Sequence, residues 1–221
     1  MHKDELKSKI PLPIYDLLSF DEFRPSQFKA IQQGLFEKKN LLICTPTGSG
    51  KTFVGELGFL HTILLEQKKA IYIVPLKALA NEKHTEFLQK YPQLKIAKSI
   101  GDKDTSDTYL AKYDLIITTS EKLDSLIRHH APWLRDLGCI IVDEIHNLND
   151  TSRGPTLEIV ITLIRQLVDA QIIALSATIG NPQELASWLS AELVIDTWRP
   201  TKLHQGVYLD GKIEFYEKNE N

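Results

Sequence analysis

The stretch LLICTPTGSGKT, residues 41–52, decides how the rest of the chain is read. Four apolar residues predict a short buried strand, a loop holding Gly48 and Gly50 follows, and a helix is expected from Lys51. Glycines let backbone N–H groups turn toward an anion with no Cβ in the way. The helix behind them aims its positive end at the same point. Thr45, Pro46, Thr47, Gly48, Ser49 and Gly50 therefore form a candidate phosphate cradle. Lys51 would bring an ammonium to the β- and γ-phosphates of a nucleoside triphosphate, and the Thr52 hydroxyl would ligate Mg²⁺. The strict pattern G-x-x-x-x-G-K-[ST] has glycine where this chain has Thr45. The part that faces phosphate, Thr47 to Thr52, is intact.

A second stretch, CIIVDEIH (139–146), supplies the acidic half of such a site. In an open parallel sheet the strand C-termini converge on one crevice. Asp143 is then placed to hold Mg²⁺ through its water shell, opposite Thr52. Glu144 is placed to orient and deprotonate an attacking water. Two acids at a strand end also occur in α/β proteins without this chemistry, so the loop upstream carries the argument.

Working outward, short aliphatic runs recur at 41–45, 70–75, 95–100, 114–119, 139–144, 171–178 and 192–196. They are nearly continuous in Val, Ile and Leu, as strands buried on both faces are. Between most of them lie helical patterns, such as 155–167 with Pro155 at its start, and 181–189 opened by Asn181 and Pro182. The alternation predicts an α/β fold of three layers, with a mainly parallel central sheet and helices on both faces. At 202–216 two runs flank Asp210-Gly211, which predicts a type I′ hairpin. The chain reads as one domain: a lead-in at 1–19, a core at 20–200, and a hairpin with a frayed polar tail at 201–221.

Composition narrows the classes. The 221 residues are 43% hydrophobic and 25% charged, ordinary globular usage that excludes disorder of the whole. No apolar run approaches the roughly 20 residues needed to span a bilayer, and the start MHKDELKSKI lacks the apolar core of a signal peptide. A cytoplasmic protein with no membrane partner is expected, association with the nucleoid being allowed. Cys44 and Cys139 cannot make a disulfide framework and read as buried thiols. His129 and His130 would diverge by about 100° on a helix, which suits capping of carbonyls rather than a shared metal. No structural metal is expected. Net charge is −3, yet residues 68–103 carry +5 and the remainder −8. The basic segment is either a phosphate-tracking edge or a solvated lysine-rich surface.

The motifs together resemble a known family. CTPTGSGKT (44–52), DEIH (143–146) and SAT (176–178) are similar to motifs I, II and III of superfamily 2 helicases, VPLKALANEK (74–83) to motif Ia, and TTSEKLDSLIR (118–128) to motif Ib. DEIHNLNDTSRGPTLE, SATIGNPQELASWL and WRPTKLHQGVY resemble the Ski-like branch, and within it the archaeal Hjm-type DNA helicases. The resemblance runs from Phe20 to Phe215. It implies a RecA-like P-loop NTPase fold, ATP and Mg²⁺ as cofactors, and 3′→5′ unwinding of single-stranded or forked DNA, RNA being left open.

Carried over by position, FRPSQ (23–27) resembles the element that recognises adenine, with Gln27 as reader, since an amide offers both donors and an acceptor. On the residues alone, Pro25-Ser26-Gln27 equally opens a helix over 26–37. The resemblance has His146 couple hydrolysis to motif III, while Ser176 and Thr178 bind back to the DEIH segment. It has motif Ia (Pro75 to Leu79) and motif Ib (Thr118 to Lys122) face a sugar–phosphate backbone, with Lys77, Thr119 and Ser120 as donors beside the backbone at Pro75. Such contacts position a strand without reading its sequence. Arg153-Gly154 match a position where the family's backbone packs close to the strand; Arg153 as a plain surface arginine stays open. Trp188 is expected in core packing.

Motors of this family use two RecA-like lobes with ATP between them, and the second supplies arginines worth roughly 10³–10⁵ in turnover. Too little chain follows SAT for a second lobe. The expectation is a first lobe alone, weakly active by itself, whose partner is the second lobe of the same full-length protein. The alternatives are a stand-alone nucleotide-binding module that docks on a partner, and a lobe of an RNA helicase.

Overall fold

Each aliphatic run becomes a strand: β1 (Leu41–Cys44), β2 (Lys69–Ile73), β3 (Ile96–Ser99), β4 (Leu115–Thr118), β5 (Leu137–Val142), β6 (Gln171–Ser176) and β7 (Glu192–Ile195). The computed structural model describes residues 1–101, 107–201 and 204–216. The strands form one seven-stranded sheet in the order β3-β4-β2-β5-β6-β1-β7, and every pairing is parallel. The helices are α1 (Leu12–Tyr15), α2 (Pro25–Gln32), α3 (Lys51–Leu65), α4 (Lys77–Lys90), α5 (Ser120–Arg128), α6 (Gly154–Leu167) and α7 (Pro182–Leu189).

The period of two along each strand divides the aliphatic residues between two cores. Leu41, Ile43, Ala70, Tyr72, Leu115 and Ile117 pack with α1 to α4 on one face. Leu42, Cys44, Ile71, Ile73, Ile116 and Val142 pack with α5 to α7 on the other. This is why the runs read as continuous: both faces of every central strand are covered. Cys44 and Cys139 are free and buried, and burial pushes their thiols up to about 11 and about 12.

Register aligns the strand ends. Ser99 pairs with Thr118, Thr118 with Ile73, Ile73 with Val142, and Cys44 with Ser176. The loops that follow β1, β2, β4, β5 and β6 therefore leave along one edge of the sheet, and the candidate residues of all five are brought to it.

Several local details depart from expectation. The helix expected over 26–37 is α2, ending at Gln32. The Leu35 amide bonds the Ala30 carbonyl (3.2 Å) and the Gly34 amide the Ile31 carbonyl (3.3 Å), the closure that terminates helices. Asn181 stands at the N-cap of α7, but its side chain donates to Glu184 (3.0 Å) instead of capping the backbone. His129 lies 2.9 Å from the Ser125 carbonyl at the end of α5, in the capping role expected, and the structure gives His130 no such bond. The segment before residue 20 is tied down, because Leu6, Ile10 and Ile14 are buried in the first core. The three do not share one helix: Leu6 ends a short 3₁₀ turn at Lys3–Leu6, Ile14 lies on α1, and Ile10 sits between them. Strands β8 (Gln205–Leu209) and β9 (Lys212–Tyr216) make an antiparallel pair, with φ positive at both Asp210 and Gly211 as the type I′ turn requires. Lys202 and Leu203 at the start of the expected hairpin, and the tail 217–221, lie outside the described residues. Among the described residues no helix is long and apolar enough to cross a membrane.

Candidate functional site

The loop between β1 and α3 has the conformation its sequence demands. Gly48 and Gly50 adopt φ of +81° and +88°, and a Cβ on Gly50 would lie 2.6 Å from Gln27 Nε2. Thr45, the departure from the strict glycine pattern, has no positive φ and needs no glycine. Its hydroxyl instead lies 2.7 Å from the Ser49 hydroxyl, a brace inside the loop with both groups buried. Pro46 is buried, whereas Thr47 and Gly48 face solvent.

Two strand spacings, about 10 Å, separate β1 from β5 across β6, and Lys51 spans them. Its Nζ lies 3.1 and 3.3 Å from the two Glu144 carboxylate oxygens while only 6% of Lys51 is exposed. Glu144 occupies the left-handed region (φ +51°), an unfavourable conformation for a residue with a side chain. Asp143 accepts from the Glu144 amide at Oδ1 (3.0 Å) and from the Tyr72 hydroxyl at Oδ2 (3.0 Å). Burial, and then the charge of Glu144, hold the Asp143 carboxyl above its ordinary value. Burial and the charge of Asp143 push the Tyr72 hydroxyl well above its own, so it remains a donor.

His146 Nδ1 lies 3.3 Å from Glu144 Oε2 and 3.4 Å from the Ala177 amide, which donates to it. The link between the DEIH segment and SAT therefore runs through the backbone of Ala177. Among the described residues neither expected side chain bonds the DEIH segment: Ser176 Oγ is buried beside the Cys44 thiol, and Thr178 is exposed. Gln27 is also used differently. Its Oε1 accepts from the Arg24 amide (3.0 Å) and its Nε2 donates to the Gly50 carbonyl (3.1 Å), tying α2 to the phosphate loop. One amide hydrogen and one lone pair remain for a ligand. Arg24 adds a bond to the Gly48 carbonyl (2.7 Å), and its guanidinium lies 5.6 Å from the Trp198 ring. Thr52, Phe53, Phe20 and Gln27 line an open pocket of about 450 Å³ beside the loop.

The donors present fit magnesium. They are hard oxygens, the Thr52 hydroxyl and the Asp143 carboxylate, and among the described residues no cluster of three or more His, Cys, Asp or Glu forms a cage. Mg²⁺ ordinarily completes such a sparse set with water and substrate phosphates.

Further along the same edge lies a groove of about 810 Å³, lined by Pro75, Lys77, Thr119, Lys122, Arg153 and their neighbours. Two helices begin there, α4 at Lys77 and α5 at Ser120, and their N-termini favour anions. Thr119 caps α5 by accepting from the Lys122 amide. Motif Ib is largely buried where it meets the groove. Thr118 is buried and donates to the Ser99 carbonyl (2.8 Å), and Lys122 is 6% exposed and paired with Asp107 (2.9 Å). Lys77 is exposed and Thr119 is buried at the groove floor, whereas Ser120, also buried, lines a small neighbouring cleft with Asp143 and Glu144 rather than the groove itself. Arg153, half-buried, donates to the Pro75 carbonyl (2.8 Å) and so joins the two walls. A Cβ on Gly154 would stand 2.2 Å from the Leu148 carbonyl oxygen, so chain packing explains that glycine. Trp188 is half-buried against the second core, as expected.

Tyr72, Arg24 and Trp198 were missed in the sequence. A tyrosine inside the aliphatic run AIYIVP was a usable signal, because a buried hydroxyl requires a partner. Nothing local marked Arg24 or Trp198, which meet only through the fold.

Known proteins are similar to this chain in sequence and fold. The profile of the DEAD/DEAH box helicase family matches residues 24–185. The chain is 48% identical over 218 residues, 95% of its length, to an ATP-dependent DNA helicase Hel308 of Methanococcus vannielii, and covers 29% of that protein. It is 54% identical over 202 residues to the Hel308 of Methanocaldococcus jannaschii, covering 88% of this chain and 17% of that one. It superposes on a crystal structure of the DUF1998 helicase MrfA bound to DNA and AMPPNP with a TM-score of 0.70 and 28% identity, over 86% of this chain and 29% of that one. The chain thus spans under a third of the length of these proteins. Its sheet is that of a RecA-like lobe, and the chain belongs to the DEAD/DEAH box helicase family.

Proposed function

We propose that this chain is the first motor lobe of an ATP-dependent 3′→5′ DNA helicase, binding Mg-ATP at the β1–α3 loop and a single strand in the groove beside it. The observation that carries the reading is the contact of Lys51 with Glu144 across the mouth of the phosphate loop, with Asp143 adjacent. In this reading the loop amides from Thr47 to Thr52 and the Lys51 ammonium grip the triphosphate, releasing Glu144 from its ion pair. Thr52 and Asp143 would hold Mg²⁺, which when bound draws charge from the β- and γ-phosphate oxygens. Glu144 accepts a proton from the attacking water as its oxygen bonds to the γ-phosphorus and ADP leaves. His146 carries the change at Glu144 to the Ala177 amide.

Gln27 would give the adenine its remaining donor and acceptor. Lys77, Thr119, Ser120 and the amides around Pro75 would track the sugar–phosphate backbone, with Arg153 holding the groove together. The names of the Hel308 relatives favour DNA over RNA as the strand. A second RecA-like lobe would complete the nucleotide site. The proposal keeps the division into a lead-in at 1–19, a motor core at 20–200 and a terminal hairpin and tail at 201–221.

The test is ATP hydrolysis and duplex unwinding by the full-length protein on forked DNA and forked RNA. Lys51→Ala is expected to cut strand-stimulated hydrolysis by at least about 10²-fold. Undiminished hydrolysis by that variant would overturn the site, and unwinding confined to RNA would overturn the choice of strand.

A further inference from the structure

We infer that Tyr72 is a positioning residue for Asp143, and that its hydroxyl sets how strongly the site couples nucleotide binding to a divalent cation; this rests on the assignment of Asp143 proposed above. Sheet register builds the contact. Tyr72 on β2 sits opposite Ile141 on β5, and Asp143 lies two residues further on the same face. A diagonal neighbour of that kind is within reach of a long aromatic side chain, and the hydroxyl stands 3.0 Å from Asp143 Oδ2. The Glu144 amide holds Oδ1 at 3.0 Å. With one donor on each oxygen, the carboxylate cannot rotate about its Cβ–Cγ bond without losing both bonds. Each oxygen keeps a lone pair for a water in a metal's shell.

Tyr72 is fully buried with its ring against Phe87 (centroids 5.4 Å apart), so no solvent water can take over from the hydroxyl. Phenylalanine would fill the same space in this aliphatic run. The hydroxyl therefore has a polar task, and Asp143 is the group it serves. A matched pair occurs elsewhere in the same core. Tyr91, also buried, donates to Glu56 on α3, which in turn meets Lys90. That second pair has the same chemistry without the candidate metal carboxylate.

The experiment measures how much MgCl₂ tightens binding of a fluorescent ATP analogue, relative to EDTA, in the full-length protein. Tyr72→Phe is expected to shrink that tightening by about tenfold, the range typical of lost partners to metal-binding groups, while affinity in EDTA stays at the native value. Tyr91→Phe is expected to lower the melting temperature and leave the tightening unchanged. If Tyr72→Phe leaves the tightening within about twofold of native, or weakens binding equally in EDTA and MgCl₂, the inference fails. Asp143→Asn separates the two levels. Should it abolish the tightening while Tyr72→Phe does nothing, this inference alone falls. Should the tightening survive Asp143→Asn, the assignment of Asp143 falls and this inference with it.

Discussion

Two crevices share one edge of the sheet, and they are prepared in opposite ways. At the end of β1 and β5 the polar groups already face one another: Lys51 against Glu144, Tyr72 on Asp143, His146 beside both Glu144 and the Ala177 amide. At the end of β2 and β4 the groove relies on two helix N-termini and exposed Lys77, while its buried lysine, Lys122, is tied to Asp107. The first arrangement holds reactive groups in fixed geometry and lets an anionic ligand exchange one partner of Lys51 for another. The second offers helix N-termini and a single exposed lysine, which in the reading proposed above would suit a repetitive backbone. Arg153, reaching the Pro75 carbonyl from just beyond the DEIH segment, is the covalently short path between them.

The sharpest way to break this contrast is Glu144→Gln, which keeps shape and removes the proposed base. Turnover of the full-length protein is expected to fall about 10²–10⁴-fold with the ATP analogue still bound. Near-native turnover would remove Glu144 from its role and leave the first crevice a binding site only. Gly154→Ala comes next. The added methyl meets the Leu148 carbonyl, and overpacking of this kind costs about 1–3 kcal/mol, read as a lower melting temperature. Because Arg153 precedes it, single-strand affinity should fall more than affinity for the ATP analogue. Equal losses would mean the two crevices behave as one unit. Lys77→Ala is the mildest. Strand affinity should drop by similar factors for all sequences, and the salt dependence of binding should lose about one charge. A sequence-selective loss would show that the groove reads bases.

Much of the fold was legible because a strand buried on both faces cannot avoid a continuous aliphatic run. The five inner runs announced themselves that way, the edge strands β3 and β7 by runs with exposed positions, and the hairpin by the Asp210-Gly211 turn chemistry. The phosphate loop was legible for a related reason: Gly48, Gly50, Lys51 and Thr52 are local chemistry in consecutive positions, where spacing alone carries the geometry. Thr45 looked like a flaw in the pattern until its bond to Ser49 showed a second way to stiffen the same loop.

Other features could not be read at all from neighbours in the chain. That Tyr72 reaches Asp143, that Arg24 bonds Gly48 under Trp198, and that Ala177 rather than Ser176 or Thr178 meets His146 depend on strand order and register. The amino-acid sequence by itself determined which strands would form and where the glycine-bearing loop between β1 and α3 would lie. Only the tertiary structure decided which side chains remain available, because a hydrogen-bonding group is committed by whichever partner the fold brings within about 3 Å.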